Sequence, residues 1–272
     1  VYIAHLAVTD AEENRFYGAE RVSRGAVGLA GARAEPFRVW IDEWEIASEI
    51  ASETGSSSWR VRAADEEIVL DLELTPLRQP VLNGDRGLSR KSSNIESASY
   101  YYSITRLETA GSLTIAGVDY RVSGLSWLDR EWSTSALAGD QVGWDWFALQ
   151  LSDGTDLMLY EIRNRDGTAD NNSSGTLSGE GAAVQLKQDD FDIEVTSTWE
   201  SPEGGTYPSG WTVRVPGQDL ELNVAPVSDD QELFTTVRYW EGAVDVTGTR
   251  LGKRISGRGY VELTGYADDV ER

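Results

Sequence analysis

Three carboxylates sit among indole rings in two short stretches, "WLDREW" (127–132) and "GWDWF" (143–147). They are Asp129, Glu131 and Asp145. A carboxylate in apolar surroundings has two fates: it holds a proton, or it finds a cation. A protonated one is a general acid able to protonate an alkene or an enol. A paired one is structural, with arginines such as Arg106, Arg121 or Arg130 as partners that hold a sheet together. The residue types leave both readings open.

Spacing says where these side chains point. Read as a strand, residues 120–132 alternate between two faces. Arg121, Ser123, Leu125, Trp127, Asp129 and Glu131 share one face, and Arg130 and Trp132 lie on the other. In 143–151, Asp145 shares a face with Phe147, Leu149 and Leu151, while Trp144 and Trp146 lie opposite. Further aromatics that could line a pocket for an elongated apolar ligand are Tyr101, Tyr160 and Trp240, beside Trp127, Trp132, Trp144 and Trp146. Core packing is the alternative reading of each. His5 shares a face with Ile3 and Ala7; it is read as a core histidine or as an acid–base group facing a pocket.

The elements that must position these residues are strands. Short runs of Val, Ile, Leu, Trp, Tyr and Thr alternate with Gly, Asn, Asp and Ser turns, and sustained helical periodicity is hard to find. Asp-Gly pairs in "SDGTD" (152–156) and "RDGT" (165–168) are hairpin signals. An all-β barrel or sandwich follows. Residues 106–131 and 238–262 resemble each other: an Arg, a first strand, a turn, a second strand with Ser-Gly, then an aromatic and an acid. The pairs are Trp127 with Asp129 and Tyr260 with Glu262, and the repeat points to two related β domains. Residues 20–36 and 83–99, rich in Gly, Ala and Ser, read as loops without a phosphate-binding pattern. Asp166, Asp170 and Asn172 lack the spacing of a calcium loop, so 164–175 reads as a turn.

Composition narrows the chemistry. The 272 residues include no cysteine and one histidine. Disulfides, thiol catalysis, Cys-ligated metals and His-rich zinc sites are excluded, and no metal or cofactor is expected. A formal charge of −22 argues against nucleic acid and anionic lipid heads as partners. Only Lys91, Lys187 and Lys253 are lysines, which fits a high-salt habitat or an ordinary acidic secreted protein. No apolar run approaches the roughly 20 residues of a membrane span. The start at Val1, without Met, is expected to be that of a trimmed or mature chain.

Eight ordered motifs carry a family resemblance: "IAHLAVTD", "ERVSRGAVGLAGA", "GDRGLSRK", "ASYYYSITR", "SGLSWLDREWS", "GWDWFALQLSDGTDLMLYEIR", "RYWEGAV" and "GRGYVELTGY". They closely resemble the AttH/CrtC-like family, a lipocalin-like group that includes carotenoid 1,2-hydratases and, more distantly, lipocalin-type Diels–Alderases. The resemblance implies two consecutive lipocalin-like antiparallel β-barrels packed together, at residues 1–135 and 136–272. It also implies an apolar cavity for isoprenoid or polyene ligands, where hydratases of the group protonate a terminal double bond and add water to the cation. Asp129, Glu131 and Asp145 are the acids in matching motifs. Two departures stand out. Arg130 occupies the place of a histidine in many relatives, and Tyr160 is followed by Glu161 and Ile162, so no Tyr-x-Asp pair follows "GWDWF". An Arg does not exchange protons near neutral pH, and Arg130 offers the acids a local cation. An extracytoplasmic bacterial setting, with a secretion or lipoprotein signal, is implied as well.

The expectation is therefore a protein that binds a hydrophobic, lipid- or isoprenoid-like ligand. A cofactor-independent hydratase or cyclase using Asp129 or Asp145 is the second reading, and a protein-binding scaffold the third. An unpaired carboxylate in a cavity would favour the enzyme, and a smooth apolar pocket with a polar rim the carrier. The oligomeric state has no signature in the sequence.

Overall fold

The computed structural model describes residues 1–50, 57–94, 97–133 and 137–267. It consists almost wholly of antiparallel strands in two curled half-barrel sheets, the expected fold class. By packing, the chain divides into two units that are not sequential halves. The first holds 1–8, 17–79 and 104–128; the second holds 9–16, 80–103 and 129–272. The division thus departs from the expected boundary near residue 135. The long strands Ala98–Ile115 and Val118–Ser133 each contribute to both units.

In the first unit, Ile68–Pro76, Ser57–Ala64, Trp44–Ile50, Arg38–Ile41 and Ala30–Arg33 follow one another in the nine-stranded sheet. Leu6, Tyr17, Ile41, Trp44, Ile68, Leu70 and Ile115 form its core. In the second unit a ten-stranded sheet runs from Val184–Lys187 through Ser174–Ser178, Asp156–Asn164, Gln141–Leu151, Lys253–Thr264, Arg238–Arg250, Leu220–Pro226 and Trp211–Val215 to Asp192–Val195. The first and last strands of this path are consecutive in the chain, which is how the sheet curls back toward its own start. Its interior is filled: Phe147, Leu149, Leu159, Val213, Leu222, Trp240 and Val261 are completely buried.

The two hairpins matched in sequence are both long and both closed by two-residue turns. Ala116-Gly117 and Leu251-Gly252 all have positive φ, at 49° and 81° and at 50° and 71°. This pair of left-handed residues matches the twist of the flanking strands, and Gly adopts it without a Cβ penalty. The two stretches read as loops hold more structure than expected. Residues 20–36 contain the end of Arg15–Ser23, a short 3-10 turn at Ala26–Gly28 and the strand Ala30–Arg33. Within 83–99, Leu88–Arg90 pairs with Ala98–Tyr100; residues 95–96 lie outside the described residues. Small and polar side chains hide such short strands, because no apolar alternation marks them. Among the described residues no helix is long and apolar enough to cross a membrane.

Candidate active site

The strand Gln141–Leu151 has two different faces. One carries Asp145, Phe147, Leu149 and Leu151 into the second unit's core; the other carries Trp144 and Trp146. Against that second face lies a cavity of about 400 Å³, lined by residues of the second unit. Gln141–Leu151 supplies the two indoles, Asp156–Asn164 supplies Tyr160 and Ile162, and Lys253–Thr264 supplies Glu262. Facing them are Tyr101, from Ala98–Ile115, and Asp129, Glu131 and Ser133, from Val118–Ser133. Lys91 and Leu137 complete the wall.

Three carboxylates face this space, and each is held differently. Asp129 accepts bonds from the Tyr101 hydroxyl at 2.5 Å and the Ser103 hydroxyl at 2.5 Å. Asn83 donates to Ser103 at 2.9 Å, and the Trp146 indole donates to Tyr101 at 3.0 Å, so a chain of side chains orients this acid. Glu131 accepts from the Ser99 hydroxyl and pairs with Lys91 Nζ at 2.8 Å. The Lys91 ammonium also sits 3.9 Å from the centre of the Tyr160 ring and 5.3 Å from that of Tyr101.

Glu262 is the exception. It accepts one hydrogen bond, from the Trp144 indole at 2.7 Å, and stands in none of the ion pairs found among the described residues. Burial pushes its carboxyl above the ordinary value; the charges of Asp129 and Glu131 push the same way, and the Trp144 N–H opposes them. Its cross-strand partner in the neighbouring Arg238–Arg250 is Glu241, another acid on the same face. Burial, then the charge of Glu262, raises Glu241 to about 7. Burial raises the nearby Tyr260 phenol too, with both glutamates adding to it.

Several expected site residues lie elsewhere. Asp145 is buried on the core face, not in the cavity. It accepts from Arg163 Nε at 2.9 Å and from the Tyr266 hydroxyl at 2.9 and 3.0 Å. Burial pushes its carboxyl up and the Arg163 guanidinium pulls it back. Asp145 is thus ion-paired on the core face, with Arg163 as its cation. Trp132 is on the outer face of its strand, half exposed and stacked on Tyr100 at 5.7 Å. Trp240 is completely buried in the core, its indole donating to the Asp229 carbonyl at 2.7 Å. His5 lies in the first unit, 3.1 Å from Glu20, and Trp127 packs with the first unit as well. Arg130 points away from the acids' face, with its guanidinium 6.0 Å from the Tyr102 ring centre. Tyr101, Asp129, Glu131, Trp144, Trp146 and Tyr160 are brought together, and Glu262 and Lys91 join them without having been singled out in the sequence. Among the described residues, no group of three or more His, Asp or Glu has an arrangement that could hold a metal ion.

Two curled antiparallel half-barrel sheets make up the fold, and the second unit carries an acid-bearing aromatic cavity. The AttH-like family model matches residues 1–266, and the chain belongs to that family. A solved structure of a putative AttH from Nitrosomonas europaea is similar over 98% of this chain and 81% of its own, with 34% identity and a TM-score of 0.86. Kievitone hydratase from Nectria haematococca shares the fold at 20% identity and a TM-score of 0.77, over 97% of this chain and 80% of its own. CghA, solved with Sch210972, shares it more loosely, at 12% identity and a TM-score of 0.55, over 94% of this chain and 78% of its own. No curated protein sequence matches the chain significantly.

Proposed function

We propose that this protein binds an uncharged, unsaturated apolar molecule in the cavity and adds water across one of its double bonds, with Glu262 as general acid. The observation that carries this reading is a carboxyl held in an aromatic cavity with an indole N–H as its hydrogen-bond partner and acids, not cations, beside it. Such a group keeps a proton to give. The alkene π pair takes that proton and forms a C–H bond, leaving a cation on the more substituted carbon. Trp144 and Trp146 line the space in which that cation forms. The oxygen of a water molecule then forms the C–O bond, and the surplus proton returns to the Glu262 carboxylate. Asp129, fixed by Tyr101 and Ser103, is placed to orient the water.

A cavity of about 400 Å³ suits a compact ligand of the usual small-molecule range. The likeness to kievitone hydratase supports a hydratase among the possible chemistries of this scaffold. An extracytoplasmic setting belongs to the same reading and is supported by the family resemblance alone. The test is incubation with a panel of neutral isoprenoid alkenes in 18O-labelled water, read by mass spectrometry. A product heavier by one labelled water, lost in Glu262→Gln, is expected. Stable binding without labelled product would overturn catalysis and leave ligand carriage; no binding at all would move the role to a protein partner.

A further inference from the structure

The same cavity has an electrostatic character that narrows its ligands further. Its lining carries three carboxylates and one lysine. Several donors in its lining already have partners. The Trp144 indole donates to Glu262, the Trp146 indole to Tyr101, the Tyr101 hydroxyl to Asp129, and the Lys91 ammonium is paired with Glu131. An anionic head group would meet the carboxylates of Asp129 and Glu131 and a single lysine already paired with Glu131. A positive group meets the opposite: carboxylate oxygens and the aromatic lining of Trp144 and Trp146. The protein itself shows that this wall holds an ammonium. Lys91 is largely buried, and its Nζ rests on the Tyr160 face at 3.9 Å while pairing with Glu131.

We infer that the cavity is selective for charge as well as shape: it takes apolar ligands that are neutral or carry an ammonium, prefers the ammonium, and rejects carboxylates of the same skeleton. The ligand class is therefore that of neutral terpenoid-like molecules and their amines, and free fatty acids and other anionic amphiphiles are excluded. This deepens the hydration reading and rests on its cavity, since a site built for a transient carbocation binds a stable ammonium in its place. Lys91 acts as the resident cation of one corner, and the corner formed by Asp129, Trp144, Trp146 and Glu262 receives the ligand's charge.

Three probes of one skeleton test it: protonated N,N-dimethylgeranylamine, geraniol and ionised geranic acid, each titrated by calorimetry near neutral pH. The chain's net charge of −22 draws any cation to the surface, so the titrations are run at high salt, which screens exposed charges. The amine is expected to bind about tenfold or more tighter than geraniol, the range of a desolvated cation–π contact, and geranic acid not to bind. Asp129→Asn is expected to narrow the gap between amine and alcohol. Lys91→Met is expected to tighten the amine further, because a competing cation has left. Geranic acid binding as well as the amine, equal binding of amine and alcohol, or no binding of any probe would each overturn the inference. Amine preference without labelled product in the hydration assay would sink the hydration reading alone; hydration without amine preference would sink this one alone.

Discussion

Asp145 and Glu262 are acids on neighbouring strands of one sheet, both raised by burial, on opposite faces. Asp145 has strong partners for a charge: Arg163 Nε, the Tyr266 hydroxyl twice, and the Arg163 guanidinium stacked 3.7 Å over the Tyr266 ring, with the acid Glu161 as its cross-strand neighbour. That environment solvates the ionised form and opposes the upward push of burial. Around Glu262 there is one indole donor, and the neighbouring ionisable groups are acids. That environment favours the protonated form. Burial alone does not make a catalytic acid; the sign of what surrounds it does.

The contrast gives a graded set of expectations. The largest effect belongs to Glu262→Gln, which removes the proposed proton donor. Turnover of any alkene substrate should fall by about 10²–10⁴-fold, the usual share of a general acid, with the melting temperature unchanged or higher. A variant that keeps activity would transfer the acid role to Asp129 or Glu131.

Next is the structural acid. Arg163→Met leaves Asp145 buried without its cation and should cost about 3–5 kcal/mol of stability, measured by denaturant unfolding. Asp145→Asn should cost less, because the amide still accepts from Tyr266. If Arg163→Met were nearly silent, the two acids would not differ as described.

A smaller effect concerns Glu241, the cross-strand neighbour of Glu262. Its carboxyl rises from 4.5 to about 7 in the folded protein, first through burial and then through Glu262. The folded state therefore binds this proton more tightly than the unfolded chain. The resulting stability is complete below pH 4.5 and is lost as pH rises through about 7. Glu241→Gln should make the protein more stable than the parent by about 1–2 kcal/mol on the alkaline side, allowing for residual solvent screening. Thermal unfolding followed against pH reads this directly, and an advantage confined to acid pH would contradict it.

Smallest is Trp132→Ala. Its ring is stacked on Tyr100 on the outer face, so stability should drop by about 1 kcal/mol or less. Ligand affinity should not change, whereas Trp146→Ala should weaken both the ligand and the Tyr101–Asp129 chain.

The face assignments were legible because strand alternation is strict. It put Asp129 and Glu131 on one face, and it put Trp144 and Trp146 opposite Asp145. Taken seriously, the second point already separates Asp145 from an indole-lined cavity. What alternation does not reveal is which face meets the core and which meets a cavity, so Trp240 and Trp132 were grouped with ligand-lining aromatics. Glu262 had a trace in the sequence: it is the acid that ends the second copy of the repeated hairpin, as Asp129 ends the first. Lys91 had none. It lies in a Ser- and Gly-rich stretch, and its partner Glu131 is remote in the chain, a pairing that only the folded strands create. The division of units was hidden for the same reason, since residues 80–103 pack with strands that come much later in the sequence.

The central claim is that Glu262 carries a proton where Asp145 carries a charge. Infrared difference spectroscopy reads protonated carboxyl groups without any ligand. Spectra of the parent, Glu262→Gln and Asp145→Asn, recorded across roughly pH 5 to 8, compare the two acids in one experiment. With Glu161 and Glu241 changed to Gln in every sample, because burial raises both of their carboxyls to about 7, the expected result is a carboxylic-acid band that persists toward neutral pH in the parent, survives Asp145→Asn and disappears in Glu262→Gln. A band that survives Glu262→Gln, or vanishes only with Asp145→Asn, would contradict the assignment of the acid to the cavity face.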